Sequence, residues 1–180
     1  MRALIGPRPA ATARRGLPPL PAVLRRGELA APYVEAERRS DHRRAGAAAS
    51  AAAERALEIG AWWPADAWAH RALWHFEQVE MSLAAVRAAR RIGDIRVAAG
   101  DPASARRYYA EAIDEGRDIG AEREEGRAAL GMARAELGLA NVAVARRLGS
   151  IALDLFERAG GSEAELAEAR EIIGQEKEVG

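Results

Sequence analysis

The chain has 180 residues, of which 49% are hydrophobic but only 5% aromatic, and it contains no cysteine. This length fits one domain or one compact array of repeats. The lack of cysteine excludes disulfides and thiolate metal sites, and no apolar run approaches the ~18 residues that a membrane-spanning helix needs. Alanine, the strongest helix former, makes up about a quarter of the sequence. The composition therefore favours an all-α fold of stacked helices with a thin core.

The net charge is zero, but the charges are unevenly distributed along the chain. Residues 1–48 contain ten arginines and four acidic residues, an excess of six positive charges. Residues 93–180 contain 12 basic and 18 acidic residues, an excess of six negative charges. One interpretation is a basic tail followed by an acidic, solvated helical body. The alternatives are a nucleic-acid-binding arm and self-association between the two ends.

Six of the eight prolines lie within residues 1–32, and prolines interrupt helices. We predict that residues 1–32 form a basic, Pro-rich leader that is disordered or loosely packed, and that residues 33–180 form one helical domain. Within that domain we expect a short charged helix over residues 33–45 and an alanine-rich helix over residues 47–59. No apolar stretch of the secretory type follows Met1, so the expected location is the cytoplasm.

All four tryptophans and two of the three histidines lie within residues 62–75. We interpret the rings as large anchors in an alanine-rich core, the alternative being an aromatic ligand groove. We expect residues 61–64 to form a turn and the helix that follows to end near Met81. His70 and His75 are five residues apart and so lie on different faces of a helix, and we predict no metal site there. The tryptophans are Trp62, Trp63, Trp68 and Trp74.

The clearest local signal is a helix hairpin at residues 100–102. Gly100 can adopt the left-handed conformation that ends a helix. Asp101 can cap the next helix by accepting hydrogen bonds from its free N–H groups. Pro102 fits the first helical position, where its missing N–H costs nothing. Three adjacent residues therefore end one helix and begin another.

The sequence after this hairpin recurs further along the chain, with a 40-residue offset. The segment D-P-A-S-A-R-R-Y-Y-A-E-A-I, which begins at Asp101, aligns with N-V-A-V-A-R-R-L-G-S-I-A-L, which begins at Asn141. We expect Asn141 to cap its helix as Asp101 does. The preceding helices align with a 38-residue offset, and we assign the difference to the turn at Leu139 and Ala140. Such a repeat predicts successive antiparallel helix pairs.

This pattern resembles the tetratricopeptide repeat, which carries an aliphatic-Gly pair in its first helix and Ala, an aromatic residue and Ala in its second. In the second copy Gly149 replaces the aromatic residue. The period exceeds the usual ~34 residues and is similar to the longer repeats of bacterial signalling and transcriptional regulators. The resemblance implies a short right-handed all-α solenoid of antiparallel helix hairpins. The matching residues are Ile92, Gly93, Ala105, Tyr109 and Ala112 in the first copy and Leu130, Gly131, Ala145 and Ala152 in the second.

The array ends with a Glu-rich helix that we predict over residues 163–177. Ser162 and Glu165 form the pattern of a capping box, in which each side chain accepts a hydrogen bond from the other residue's free N–H group. We interpret this helix as the polar end that covers the last apolar face of a repeat array.

The resemblance also implies a binding groove, because first helices line the concave face in this family. Its arginines favour an acidic peptide or phosphate, the alternative being an ordinary solvated arginine face. The acidic residues of 111–125 alternate with arginines as on a solvated helix, and we do not interpret them as catalytic. The expected groove residues are Arg87, Arg90, Arg91, Asp94, Glu125, Met132 and Glu136.

The sequence thus predicts a non-catalytic helical-repeat module that binds another protein or peptide, without a cofactor or metal, and is part of or related to a bacterial regulator. The alternative is a nucleic-acid-associated regulatory protein that uses its basic N-terminal segment, with the helices as a dimer platform. Small-molecule or metal chemistry at the tryptophan and histidine cluster has less support. The sequence leaves the oligomeric state open.

Overall fold

The computed structural model describes residues 20–25 and 30–175, and all regular secondary structure in these ranges is helical. The predicted all-α repeat solenoid is confirmed. Most of the predicted leader lies outside the described residues, although Leu20 and Ala30 are buried in the core. The helices are α1 (Ala22–Arg25), α2 (Ala31–Arg38), α3 (His42–Glu58), α4 (Trp62–Gln78), α5 (Ser82–Ala98), α6 (Pro102–Asp118), α7 (Glu122–Gly138), α8 (Val142–Ala159) and α9 (Glu163–Gly174).

The turns between these helices recur at a constant interval. Helices α3 to α8 begin at residues 42, 62, 82, 102, 122 and 142, and α9 begins one residue late, at 163. Each turn contains one residue in the left-handed conformation that ends a helix. Two helices therefore make one 40-residue repeat. The left-handed residues are Ser40, Gly60, Glu80, Gly100, Gly120, Ala140 and Gly160.

The predicted 38-residue offset between the first helices is wrong. Helices α5 and α7 begin at Ser82 and Glu122, and their turns have equal lengths, so these helices share the 40-residue offset. Gly93 and Gly131 are therefore not equivalent positions. They have the same effect instead, because a Cβ atom at either residue would overlap the ring of Tyr109. Two glycines thus let α5 and α7 approach the same buried ring on α6.

Consecutive helices pack against each other, in the pairs α3/α4, α5/α6 and α7/α8. The first helices of successive pairs also touch, since α5 contacts α7 and α7 contacts α9. Helix α9 thus lies in the position of a further first helix. The solenoid presents one face made of first helices (α5, α7, α9) and another made of second helices (α4, α6, α8).

Small and large residues are matched within the pairs. Gly46 on α3 packs against the ring of Phe76 on α4, and Gly126 on α7 packs against Phe156 on α8. In the middle pair the sizes are reversed, since Val86 occupies the glycine position and Gly116 the phenylalanine position. The pairs α3/α4 and α7/α8 therefore combine a glycine with a ring at this level, whereas Gly116 of the middle pair faces the Glu125 backbone on α7.

Two expectations about the N-terminal helices were wrong. The helix over residues 33–45 is interrupted, because α2 ends at Arg38 and the Asp41 carboxylate caps α3, accepting from the Arg44 N–H at 3.0 Å. Residues 61–64 are not a turn, since α4 already begins at Trp62. Pro64 lies in the first turn of that helix, where its missing N–H breaks no hydrogen bond.

The other caps largely follow the sequence. Asp101 caps α6 by accepting from the Ser104 N–H at 3.1 Å, Ser162 forms the predicted capping box, and the break after Met81 is confirmed. The predicted cap at Asn141 is wrong. Its amide donates instead to Glu136 Oε2 at 2.7 Å, because a buried carboxylate lies within its reach.

The four tryptophans differ in exposure, and Trp74 is half-buried. Trp68 is buried beside Tyr33, with ring centroids 5.0 Å apart, so the anchor interpretation is confirmed for this residue. Trp62 and Trp63 are exposed in the first turn of α4, and the interpretation is wrong for them.

We predict that Ala140→Gly stabilises the fold by about 0.5–1 kcal/mol, because glycine removes the strain of a left-handed Ala at φ 59°. Urea unfolding followed by circular dichroism measures this free energy. The matched control, Gly120→Ala, has no atom within 4 Å of the added Cβ and should destabilise by about 1 kcal/mol through backbone strain alone. Destabilisation by Ala140→Gly would contradict this account of the turns.

Candidate functional site on the first helices

A buried carboxylate connects the first helices α5 and α7. Glu124, in the first turn of α7, is only 4% exposed. Its Oε1 accepts hydrogen bonds from Arg87 Nε and Arg127 Nη1, both at 2.9 Å. Arg90 Nε lies 3.7 Å from the other oxygen. Three guanidinium groups therefore surround one carboxylate, and this arrangement offsets the cost of burying its charge.

The same type of pair recurs one repeat later. Arg127 occupies the position of Arg87 in the 40-residue register, and its Nε donates to Glu165 Oε1 on α9 at 2.6 Å. Arg123 Nη2 donates to the other oxygen of Glu165 at 3.1 Å. We call the pairs Arg87–Glu124 and Arg127–Glu165 the ion-pair ladder. It joins α5 to α7 and α7 to α9.

A second polar cluster lies further along α5. Asp94 Oδ2 is 2.5 Å from Arg90 Nη1, and Asp94 Oδ1 accepts from the Tyr109 hydroxyl at 2.8 Å. Arg134 on α7 lies 3.6 Å from Asp94 and 3.4 Å from Glu168 on α9. The polar side of the first helices is thus continuous from α5 to α9.

The ladder borders an open cleft of about 420 Å³ at the start of α7, with Leu83 on its α5 side. The Arg87 side chain is 55% exposed there and places only its Nε against Glu124. Arg123 is also exposed and uses one Nη on Glu165. A guanidinium has five N–H donors, so both arginines retain donors for a ligand.

Four of the seven expected groove residues do not belong to this site. Arg91 points to the neighbouring pair, with Nη2 2.6 Å from Glu54 on α3. Glu125 accepts two hydrogen bonds from Arg117 on α6, at 2.8 and 3.0 Å. Met132 packs beside the buried Tyr109 ring.

Glu136 is the fourth, and it is fully buried between α6 and α8. Its Oε1 lies 2.7 Å from Arg106 Nε, and Oε2 accepts from Asn141. The structure therefore brings together only Arg87, Arg90 and Asp94 from the expected groove residues. Sequence reasoning missed Glu124, Arg127 and Glu165, although Arg127 repeats Arg87 in the 40-residue register.

Contacts on the first-helix face shift the pKa values of several groups. Burial raises the pKa of the Glu165 carboxyl, but hydrogen bonds from the Ser162 N–H and from Arg127 lower it more, to about 2. The hydrogen bond to Glu165 in turn raises the pKa of Arg127. Burial and the Asp94 charge raise the pKa of Tyr109. Glu165 and Arg127 therefore stay charged, and Tyr109 stays neutral, throughout the physiological pH range.

A separate cluster joins α2, α3 and α4. The Tyr33 hydroxyl donates to Glu37 at 2.8 Å, so His75 Nε2, 3.1 Å away, must be the donor to that hydroxyl. His75 Nδ1 is then the acceptor for His42 Nδ1, at 3.0 Å. Burial, His42 and the neighbouring Arg71 lower the pKa of His75 to about 4. The contacts hold His75 neutral.

No group of three side chains that could hold a metal ion occurs in the described parts of the chain. His70 and His75 are apart, as expected from their spacing, and His70 Nε2 instead pairs with the Tyr108 hydroxyl at 2.9 Å. None of the described helices combines the length and apolar character needed to cross a membrane.

Comparison with protein-family models gave no match. Comparison with curated protein sequences gave none either. The geometry of the first-helix face is therefore the basis on which a function can be proposed.

We predict that Glu165→Gln destabilises the protein by about 1 kcal/mol at pH 7 and by much less at pH 2.5. A carboxyl whose folded pKa is lowered stabilises the fold above its ordinary pKa of 4.5, and this contribution disappears as the pH falls towards 2. Chemical unfolding at both pH values measures the difference. The control Glu163→Gln, an exposed acid of the same helix turn, should show a smaller effect. Equal losses at pH 7 and pH 2.5 would contradict the ladder.

We predict a second pH dependence at His75. Its folded pKa of about 4 lies below the ordinary 6.5. Stability is therefore complete above pH 6.5 and falls by about 2–3 kcal/mol as the pH drops to 4, since only the unfolded chain binds the proton. His75→Gln should flatten this part of the profile. His70→Gln should leave it unchanged, and a profile flattened equally by both variants would contradict the assignment.

Proposed function

We propose that the protein is a non-catalytic helical-repeat module of the tetratricopeptide type that binds an acidic segment of another protein on its first-helix face. The observation that carries this proposal is the cleft beside the ladder, where Arg87 and Arg123 keep free donors. Guanidinium groups bind carboxylates with two parallel hydrogen bonds.

The ladder also prepares these arginines for binding. Glu124 and Glu165 hold each guanidinium in place through one of its edges. Less side-chain entropy is then lost when a ligand arrives. The charges also favour an acidic ligand. Among the residues that line the cleft, the arginines Arg87, Arg123 and Arg127 outnumber the acids Glu122 and Glu124 by one positive charge.

The length of the repeat supports a further part of the proposal. Each pair spans the 40-residue period, which is longer than the usual ~34 of tetratricopeptide repeats, as in the longer repeats of bacterial regulators. We propose that the chain is part of, or related to, such a regulator and acts in the cytoplasm.

The test is binding of fluorescein-labelled eight-residue peptides that contain three or more Asp or Glu residues, measured by fluorescence anisotropy. We expect members of this library to bind, and we expect the double variant Arg87→Glu/Arg123→Glu to lower their affinity about tenfold or more. The control Arg55→Glu changes an exposed arginine on α3 that pairs with Glu58 and should leave binding unchanged. A library without binders, or affinities that do not respond to the double variant, would refute the proposal.

A further inference from the structure

An apolar stripe runs along the outer side of the second helix α8. Val144, Leu148, Ile151 and Leu155 follow one another at spacings of four, three and four residues, which places them on one face of a helix. Leu155 is buried and Leu148 is half-buried against the core, so the exposed part of the stripe consists of Val144 and Ile151. Val144 is 43% exposed and Ile151 is 45% exposed. Two branched aliphatic side chains within a long helix therefore face solvent.

Two of these positions, those of Leu148 and Leu155, are covered by the chain itself on α4. On α4 they are Trp68, which packs against Tyr33, and His75, which Tyr33 binds through its hydroxyl. On α6 the equivalent of Trp68 is Tyr108, whose hydroxyl pairs with His70 of α4 at 2.9 Å. On α8 that equivalent is Leu148, and the residue of α6 in the place of His70 is Ala110, which is too short to make such a contact. Leu148 on α8 therefore lacks the contact that the repeat supplies at this position on α4 and α6, and it is only half-buried.

Two unpaired charges flank the stripe on its solvent side. Most arginines of the second half of the chain have an acidic partner, but Arg147 and Asp154 have none among the described residues. They are seven residues apart, about 10 Å along the helix axis, so they cannot pair with each other. Each is therefore available to a charge of the opposite sign on another chain.

A second copy of the same helix supplies that partner. When two α8 helices pack antiparallel about a two-fold axis near Ile151, Arg147 of each copy lies beside Asp154 of the other, and the two exposed Ile151 side chains meet at the axis. A two-fold interface must be self-complementary in this way. We propose that the protein forms a homodimer through antiparallel packing of α8 on α8. This interface uses the second-helix face and leaves the ladder and its cleft free.

One helix stripe buries less than the ~800 Å² per partner of a standard stable interface. The dimer is therefore weak, with a dissociation constant in the micromolar range. Sedimentation equilibrium of the full chain at neutral pH, low salt and about 1–500 μM should show a monomer–dimer equilibrium.

The charge pairs provide the decisive variants. Arg147→Glu alone places two acids together at each contact, and Asp154→Arg alone places two arginines together, so each variant should dimerise about tenfold less tightly than the unchanged chain. An equimolar mixture of the two variants restores opposite charges at both contacts. The mixture should therefore form heterodimers nearly as tightly as the unchanged chain.

The apolar stripe is tested separately. Ile151→Ser should weaken the dimer about tenfold or more. The control Ile59→Ser alters an even more exposed isoleucine in the turn after α3 and should have no effect. Circular dichroism verifies that each variant is folded. A chain that is monomeric at all concentrations, a dimer indifferent to Ile151→Ser, or a mixture that fails to restore association would each overturn the proposal.

Discussion

The regular length of the helices is the constraint on which the rest of the structure depends. The turns from Ser40 to Ala140 follow one another at a constant interval, so every second turn opens an equivalent pair of helices. In this register Arg127 occupies the position on α7 that Arg87 occupies on α5. The same contact to the next first helix can therefore form twice. The one-residue delay before α9 arises because α8 is one residue longer than the preceding helices. The turn after it keeps three residues, and Glu165 is still brought to Arg127. A change of length inside a helix would rotate all later side chains of that helix by ~100° per residue.

The alanine-rich core explains why ion pairs have such a large part in joining the first helices. Alanine side chains let helices approach closely but bury little apolar area each, and burial contributes only ~25 cal/mol per Å². The interior is therefore filled by a few large rings such as that of Tyr109, and ion pairs join the helices at the edges. Glu124 and Glu136 are both buried acids that bridge neighbouring helices through arginines. Such groups add little net stability compared with apolar residues, but they specify which helices meet.

The sequence predicted the parts of the fold that are encoded locally. The stop and start at residues 100–102 and the capping box at Ser162 depend on backbone donors within one helix turn, and both are confirmed. The turn at Leu139 and Ala140 has no glycine to mark its left-handed residue. The predicted offset between the first helices was therefore 38 residues and not 40. The site was harder to predict because it depends on tertiary contacts. Glu136 and Glu125 have the same local sequence character as Glu124, and only the packing of α6 decides that they face inwards.

The glycine–phenylalanine contacts within the pairs α3/α4 and α7/α8 bear on how such an array changes during evolution. Gly46 and Phe76 belong to one pair, and Gly126 and Phe156 to another, so each glycine travels with its ring in one 40-residue segment. Recombination that inserts or deletes a whole segment therefore keeps every interior complete. An event that moved a single helix would instead join the glycine of one segment to the glycine of the next, or Val86 to a ring, and leave a void or a clash. Growth and loss of this array in steps of two helices follows from where its bulky side chains sit.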